Sequence, residues 1–337
     1  PSVSRIVSMR RQELPYRAWI FSIANYMRYE RPQKGREREF WQLNIDTFGA
    51  EGVSSDAETI MLAEKLLTGL GATKNDFTIL ISNRKLLNDA LKNFVELAEN
   101  QIKPISKLID NKNKISEENF RQGVKEIIPF KESQEKLFEL INTNSLQELK
   151  NLIGETKTIS QTEELLNILT ELGVQTAKFD ISLVRGLDYY TGMVFEVIDN
   201  NPENNRSIFG GGRYDGLVEM FGVEPISAVG FAPGYTTTEL FLKTHNLLPK
   251  ISSAVDVYVA TIDDQFIASH KLAEFLRAKN YKVDVDASSK KLDKKIKLAN
   301  KKQAKYLVVV GNKEAETSEF SLKNLATGEQ EDIASFK

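Results

Sequence analysis

The chain has 337 residues, 41% of them apolar, and 45 Lys and Arg against 47 Asp and Glu give a net charge of −2. That is enough apolar material for a full core and for two or three domains, and any nucleic acid must be met by local basic patches because the surface as a whole is not basic. The absence of cysteine excludes disulfides, thiolate zinc sites and cysteine nucleophiles, while two histidines, His245 and His270, are too few for most histidine-built sites and read as surface residues. No apolar run approaches the roughly 20 residues needed to span a bilayer and no signal peptide is evident, so a soluble, cytoplasmic protein is expected.

Apolar and aromatic residues alternate in RAWIFSIANYM and again in EFWQLNIDTF, which predicts two long strands between Pro15 and Phe48, paired as an antiparallel hairpin around a charged loop. In SSDAETIMLAEKLLTGLG, Ser55 followed by Glu58 and closed by Gly71 predicts a helix with a capping box and a glycine C-cap. FTILISN, Phe77 to Asn83, reads as a short buried strand. From Arg84 to about Glu171 the pattern is helical throughout, with breaks near Pro104 and Pro129, which predicts a helical insertion. Strand character returns at Ser182 to Val197. After Pro249 the alternation changes to strand Ala254–Ile262, helix Gln265–Ala278, strand Lys282–Asp286, helix Lys290–Asn300 and strand Tyr306–Val310, a small α/β domain on a parallel sheet. A boundary is placed near Leu248 to Ser253.

Three stretches carry chemistry. The turn RYERPQKGRER, Arg28 to Arg38, holds five positive and two negative residues, and arginine forks suit bidentate phosphate contacts; a solvated basic turn is the competing reading. Gln42 and Asp46 are four apart on one strand and so share a face, where a carboxylate could hold an ammonium group. FGGGRYDG, Phe209 to Gly216, fits neither the P-loop nor the dinucleotide fingerprint; glycines within a strand point instead to close approach of the backbone to a ligand or another strand. LVRGLDYYTGMVFEV adds one arginine, one aspartate and two adjacent tyrosines, poor material for a core. In the C-terminal region SSKKLDKKIKLANKK holds seven lysines and one aspartate, a stripe that either meets nucleic-acid phosphates or is simply solvated.

Taken in order, RYERPQKGR, EFWQLNIDTFG, LVRGLDYYTGMVFEV, GGGRYDGL and AVGFAPG closely resemble histidyl-tRNA synthetases, a family of class II aminoacyl-tRNA synthetases, over essentially the whole chain. The resemblance implies an α+β fold: a class II antiparallel sheet flanked by helices, formed by 1–84 and 172–250, a helical insertion at 85–171 and an α/β anticodon-binding domain at 251–337. It implies ATP-dependent activation of histidine to histidyl-adenylate, Mg²⁺ bridging the phosphates, and transfer to tRNA(His), with no resident metal site. By the same resemblance Arg28 is the motif 2 arginine that meets the α-phosphate and substrate carboxylate, Arg36 and Arg38 lie in the loop that meets ATP and the tRNA acceptor end, and Arg185 is the catalytic arginine. Gln42 and Asp46, with Tyr189, Tyr190 and Tyr214, face the histidine; Lys290, Lys291, Lys294 and Lys295 are candidates for tRNA.

The chain departs from the family's pattern where an arginine commonly follows the last glycine of GFAPG by three residues, a position held here by Thr237, with Arg213 a candidate to compensate. Motif 1 and the Thr-x-Glu loop are not found, and Pro1 without a methionine reads as the start of a fragment, so impaired activity of this chain and a homodimer of the full-length protein are expected. The competing readings are a regulatory paralog that binds histidine or a partner enzyme without charging tRNA, from which the C-terminal domain argues away, and a general RNA-binding module.

Overall fold

The computed structural model describes residues 2–15, 17–29, 31–33, 35–112, 115–184, 189–204, 207–249 and 254–333. It comprises two compact units, Pro1–Leu248 and Pro249–Lys337.

The first unit opens with helix α1 (Ser2–Arg10) and the expected hairpin, β1 (Ala18–Met27) and β2 (Glu39–Phe48), paired in unbroken antiparallel register from Ala18 opposite Phe48 to Met27 opposite Glu39. Helix α2 (Val53–Gly69) follows, but not with the expected capping box: it starts after Gly52, which takes φ 81° and offers no side-chain cap. Ser55 turns its hydroxyl to the Gly52 carbonyl oxygen, and Glu58 pairs with Arg17. Strand β3 (Phe77–Asn83) lies where the apolar run places it.

Six helices then form the insertion: α3 (Arg84–Asn93), α4 (Glu99–Asp110), α5 (Glu117–Ile127), α6 (Lys131–Ile141), α7 (Leu146–Ile153) and α8 (Lys157–Glu171). Their inward residues, among them Leu87, Leu91, Ile105, Val124, Leu137 and Leu149, build a core of their own. Ser116, Ser145 and Thr156 cap α5, α7 and α8 by accepting backbone N–H groups, each worth about 1 kcal/mol. Pro104 does not break the helical run as expected; it lies inside α4, and the break precedes that helix. Pro129 does fall between α5 and α6.

After the insertion the chain adds β4 (Ala177–Phe179), parallel to β3, so the whole insertion is a crossover between these two strands. Strand β5 begins at Met193 and runs to Asp199, eleven residues later than the Ser182 start expected from sequence. Strands β6 (Ser207–Arg213) and β7 (Ala228–Phe231) and helix α9 (Tyr235–Thr244) complete the unit. The sheet order is β1-β2-β7-β6-β5-β3-β4, antiparallel except for the β3–β4 pair. One face, carrying Ile79, Ile81, Phe195, Val197 and Phe231, packs on Ile60, Ala63 and Leu67 of α2 and on Leu165 and Leu169 of α8.

The second unit holds β8 (Val257–Thr261), α10 (Phe266–Ala278), β9 (Val283–Asp286), α11 (Leu292–Lys301), β10 (Tyr306–Val310), α12 (Asn312–Thr317), β11 (Ser321–Asn324) and β12 (Gln330–Asp332). Strands β10, β8 and β9 are parallel, and β11 and β12 extend the sheet as an antiparallel edge the sequence pattern did not reveal. Strand β8 is buried along its length: Val257 and Val259 pack with Leu272 and Leu276 of α10, while Tyr258 and Ala260 pack with Ala299 of α11. Alternation along one strand thus puts a helix on each face.

Candidate active site

The registers of β1, β2, β7 and β6 align Ile20, Asp46, Gly230 and Gly212 in one row across the first sheet. In the neighbouring row, Phe21, Ile45, Phe231 and Gly211, it is Ile45 and Phe231 that pack with α2, so Asp46 stands on the opposite face. There the Tyr214 hydroxyl donates to Asp46 Oδ1. The rings of Tyr189 and Tyr190 lie tilted 4.9 Å apart, and each meets Tyr214 edge-on, at 5.6 and 6.3 Å. Burial pushes the Asp46 carboxyl above its ordinary range, and the hydrogen bond from Tyr214 pulls it partly back. Burial and the Asp46 carboxylate together drive the Tyr214 phenol far up, so that it remains a proton donor at any physiological pH.

The glycines of this floor have no room to be anything else. A Cβ on Gly230 would sit 2.4 Å from the Ile45 carbonyl oxygen and 2.8 Å from both Asp46 Oδ1 and the Tyr214 hydroxyl. On Gly212 it would meet the Met193 carbonyl at 2.6 Å and the Tyr190 ring at 2.9 Å. Close approach read from the glycine runs is therefore approach to neighbouring strands and to the site's own side chains.

Gln42 shares the face of Asp46, and its amide donates to the Ala232 carbonyl at 3.3 Å, next to the bridge between Gln42 and Gly234. At the turn end of the hairpin Arg28 lies 4.2 Å over the Phe40 ring and donates through Nε to the Glu37 carbonyl, while Arg38 lies 5.4 Å from the Tyr29 ring. Arg36 closes the turn by exchanging backbone hydrogen bonds with Gln33. This arginine-bearing loop rests on the start of α9: Thr236 donates to Glu37 at 2.7 Å, and a Cβ on Gly35 would lie 3.6 Å from the Thr237 methyl. Arg185 lies outside the described residues.

Two sequence expectations are corrected here. Arg213 cannot replace an arginine at Thr237, because its guanidinium lies on the helix side of the sheet in a buried pair with Asp56. Of the lysine stripe, Lys290, Lys291 and Lys294 are exposed, but Lys295 is 1% exposed and donates to the Thr261 and Asp286 carbonyl oxygens at 2.5 and 3.0 Å. It fastens α11 to the ends of β8 and β9 and is not open to a phosphate. Nothing local in the sequence marks Asp56 as the partner of a residue 157 positions away.

An antiparallel sheet that carries a long hairpin with an arginine-bearing turn, followed by a glycine-floored strand pair and a separate α/β unit, defines a class II aminoacyl-tRNA synthetase. Residues 1–236 match the family model described as histidyl-tRNA synthetase, and residues 256–335 match the one described as anticodon binding domain. The chain is 36% identical to a histidine–tRNA ligase of Leptospira biflexa over 333 residues, 98% of this chain and 76% of that protein. It is also 36% identical to a histidine–tRNA ligase of Thermococcus kodakarensis over 344 residues, 98% of this chain and 78% of that one. The crystal structure of histidyl-tRNA synthetase from Nostoc sp. PCC 7120 superposes with a TM-score of 0.81 at 25% identity, covering 98% of this chain and 79% of that one. The chain belongs to the histidyl-tRNA synthetase family.

Proposed function

We propose that the protein is a histidine–tRNA ligase that condenses histidine with ATP to histidyl-adenylate and pyrophosphate and passes the histidyl group to tRNA(His). The observation that carries this reading is the half-buried Asp46 carboxylate, held by Tyr214 beside Tyr189 and Tyr190 on a floor of glycines. A desolvated carboxylate suits an α-ammonium, and phenol hydroxyls suit the two ring nitrogens of an imidazole. A regulatory role without tRNA charging is disfavoured by the anticodon-binding match at residues 256–335.

In this reading Arg28 meets the α-phosphate and the substrate carboxylate, Arg36 and Arg38 meet the remaining phosphates and the acceptor end, and Gln42 and Tyr189 complete the amino-acid pocket. Arg185 stabilises the charge that grows on the α-phosphate, a role in which one lost donor typically costs about 10²- to 10³-fold in rate. Mg²⁺ is expected to enter chelated by the triphosphate. Once there it would neutralise phosphate charge. Lys290, Lys291 and Lys294 are assigned to tRNA phosphates.

A homodimer is proposed on a separate ground. Trp19, Phe21, Ile23 and Met27, alternate residues of β1, are each more than half exposed, and Trp41 of β2 extends the same face. A stripe of this kind is suited to a protein interface. Phe21→Glu is expected to shift the sedimentation coefficient toward the monomer. No helix among the described residues is long and apolar enough to cross a membrane, and a cytoplasmic location accords with charging tRNA.

The primary test is ATP–pyrophosphate exchange with each amino acid in turn, followed by charging of tRNA transcripts. Exchange driven by histidine alone and charging of tRNA(His) alone are the expected results; exchange driven by another amino acid would overturn the reading.

A further inference from the structure

Behind Tyr214, on the helix side of the sheet, lies a buried polar knot to which the adenylation reading gives no role. Arg213, the last residue of β6, donates from Nε and a terminal nitrogen to Asp56 Oδ1 at 2.9 and 2.5 Å. Its other N–H groups reach the carbonyl oxygens of Ala50 and Gly52, both at 3.1 Å, the hydroxyls of Ser55 at 2.7 Å and Ser227 at 2.6 Å, and Asp215 Oδ1 at 3.2 Å. Asp215 in turn accepts from the Ser227 hydroxyl and the Ala228 amide. The Arg213 carbonyl accepts the Thr191 amide at 2.8 Å, and the Asp215 amide donates to the Thr191 hydroxyl at 3.0 Å.

The partners have one thing in common, their place in the chain. Thr191 directly follows Tyr189 and Tyr190. Arg213 and Asp215 flank Tyr214. Ala228 opens β7 just before Gly230, and the Ala50–Asp56 segment continues from β2 just after Asp46. The segment after Asp46 and Ser227 at the head of β7 are pinned to the Arg213 guanidinium itself, while the Tyr189–Tyr190 stretch is pinned through Thr191 to the backbone of Arg213 and Asp215 on either side of Tyr214. Stability alone is a poor reason for such a knot, since burying charges is costly and well-packed apolar residues often serve a core as well or better.

We propose that the knot of Arg213, Asp56 and Asp215 is the positioning device of the amino-acid pocket: it fixes the aim of Tyr214 and Tyr190 relative to Asp46, and discrimination for histidine depends on it. This rests on the reading that Asp46 and the tyrosines hold the histidine. Arg213 is a positioning residue, acting through the backbone on either side of Tyr214. Small losses of aim are expensive, because a shift near 1 Å can cost about 10²-fold.

The test uses Arg213→Lys, which keeps the charge and loses the fork, with His245→Gln as a control altered at a buried ion cluster away from the pocket. In the protein labelled with ¹³Cζ-tyrosine, the Tyr214 signal, assigned through Tyr214→Phe, is expected to move or broaden in Arg213→Lys and to stay in place in His245→Gln. In pyrophosphate exchange the KM for histidine is expected to rise by about 10-fold or more while the KM for ATP holds. That rise should largely vanish when Arg213→Lys is placed on a Tyr214→Phe background. An unmoved Tyr214 signal, or equal rises in both KM values, overturns the positioning role. A moved signal in a protein whose exchange is driven by another amino acid keeps the positioning role and overturns the assignment of histidine.

Discussion

The Tyr214 hydroxyl reaches across 168 residues of sequence to donate to Asp46, and the two residues set each other's proton affinity. Burial lifts the Asp46 carboxyl, and the phenol's hydrogen bond lowers it again. If Asp46 must be ionised to hold the α-ammonium, Tyr214→Phe removes the lowering influence and moves the acid limb of kcat/KM for histidine to higher pH. Asp46→Asn is expected to abolish that limb and reduce kcat/KM by about 10²-fold or more, since losing a desolvated charge partner costs roughly 2–5 kcal/mol. Pyrophosphate exchange from pH 5 to 9 on both variants measures it. An acid limb that stays put in Tyr214→Phe would remove Asp46 from the role.

The Arg213–Asp56 pair has a signature in stability. Burial pushes the Asp56 carboxyl up to about 6, despite the attraction of Arg213. The group borders a cavity of about 430 Å³ on the helix side of the sheet, which also touches Glu51, Lys85 and Gln161. With its folded pKa above the unfolded one, the native state holds this proton more tightly, so the Asp56 contribution is present at low pH and is lost as pH rises from about 4 to about 6. Asp56→Asn is expected to flatten that segment of the stability curve. Arg213→Met strands two carboxylates and should cost about 3–5 kcal/mol at pH 8, and visibly less at pH 5, where Asp56 is protonated. Urea melts at the two pH values decide it, and a cost that is equal at both would contradict the assigned titration.

The sequence made the hairpin, β3, the insertion helices and the parallel core of the second unit legible because each is written in a local period of 2 or 3.6. It also placed Gln42 and Asp46 on one face and read the glycines as sites of close approach. What escaped it depends on distant partners. Ser55 looked like a helix cap because its spacing to Glu58 is right, yet its hydroxyl serves Arg213, 158 residues on. Lys295 looked like its neighbours in a lysine run, and only the ends of β8 and β9 reveal that it is buried. Strand β4 is three residues long and has no period to show.

His245 makes the same point and yields a measurement. Expected at the surface, its imidazole instead lies 2.8 Å from the buried Asp199 carboxylate and 3.2 Å from Asp76 Oδ1, with its ring tilted against Phe241 at 4.6 Å. It ties the end of α9 to the end of β5 and to the turn before β3. Burial alone would raise Asp76, but hydrogen bonds from the Thr73 amide and hydroxyl, and His245 beside it, hold it below the usual carboxylate range. Asp76 thus stabilises the fold above about pH 4 and loses that contribution as pH falls through its lowered value. His245→Ala, which leaves Asp199 short of a partner, is expected to lower stability by about 1–3 kcal/mol, with no change in the KM for ATP in the folded enzyme. Melting temperatures and exchange kinetics at pH 7.5 check both halves.

The lysine run divides into two kinds of residue with opposite expected phenotypes. Replacing Lys290, Lys291 and Lys294 by Ala should weaken tRNA binding and lower the slope of log K against log salt by roughly 1 per lost phosphate contact, without altering pyrophosphate exchange. Lys295→Met leaves the Thr261 and Asp286 carbonyl oxygens without their donor and should lower the melting temperature of the second unit. If Lys295→Met left the melt untouched and weakened tRNA binding as the other three do, the buried assignment would be wrong.

Thr237 offers a gain-of-function test of the nucleotide assignment. It occupies the first turn of α9, with its hydroxyl donating to the Gly234 carbonyl at 3.1 Å and its methyl beside Gly35 of the arginine-bearing loop. The family resemblance implies an arginine there for the γ-phosphate, and Arg213 cannot stand in for it, being committed to Asp56. Thr237→Arg would set a cation near a helix N-terminus, a cost of roughly 0.3–1 kcal/mol, against a charge-assisted contact to phosphate worth about 1.5–3 kcal/mol. The balance favours binding, so the KM for ATP should fall several-fold while the KM for histidine stays level, and Thr237→Ala should change neither. The comparison is made at fixed free Mg²⁺ in pyrophosphate exchange. An ATP KM that rises in Thr237→Arg would show that the triphosphate does not extend over this end of the hairpin, and the loop arginines Arg36 and Arg38 would lose their proposed contact with it.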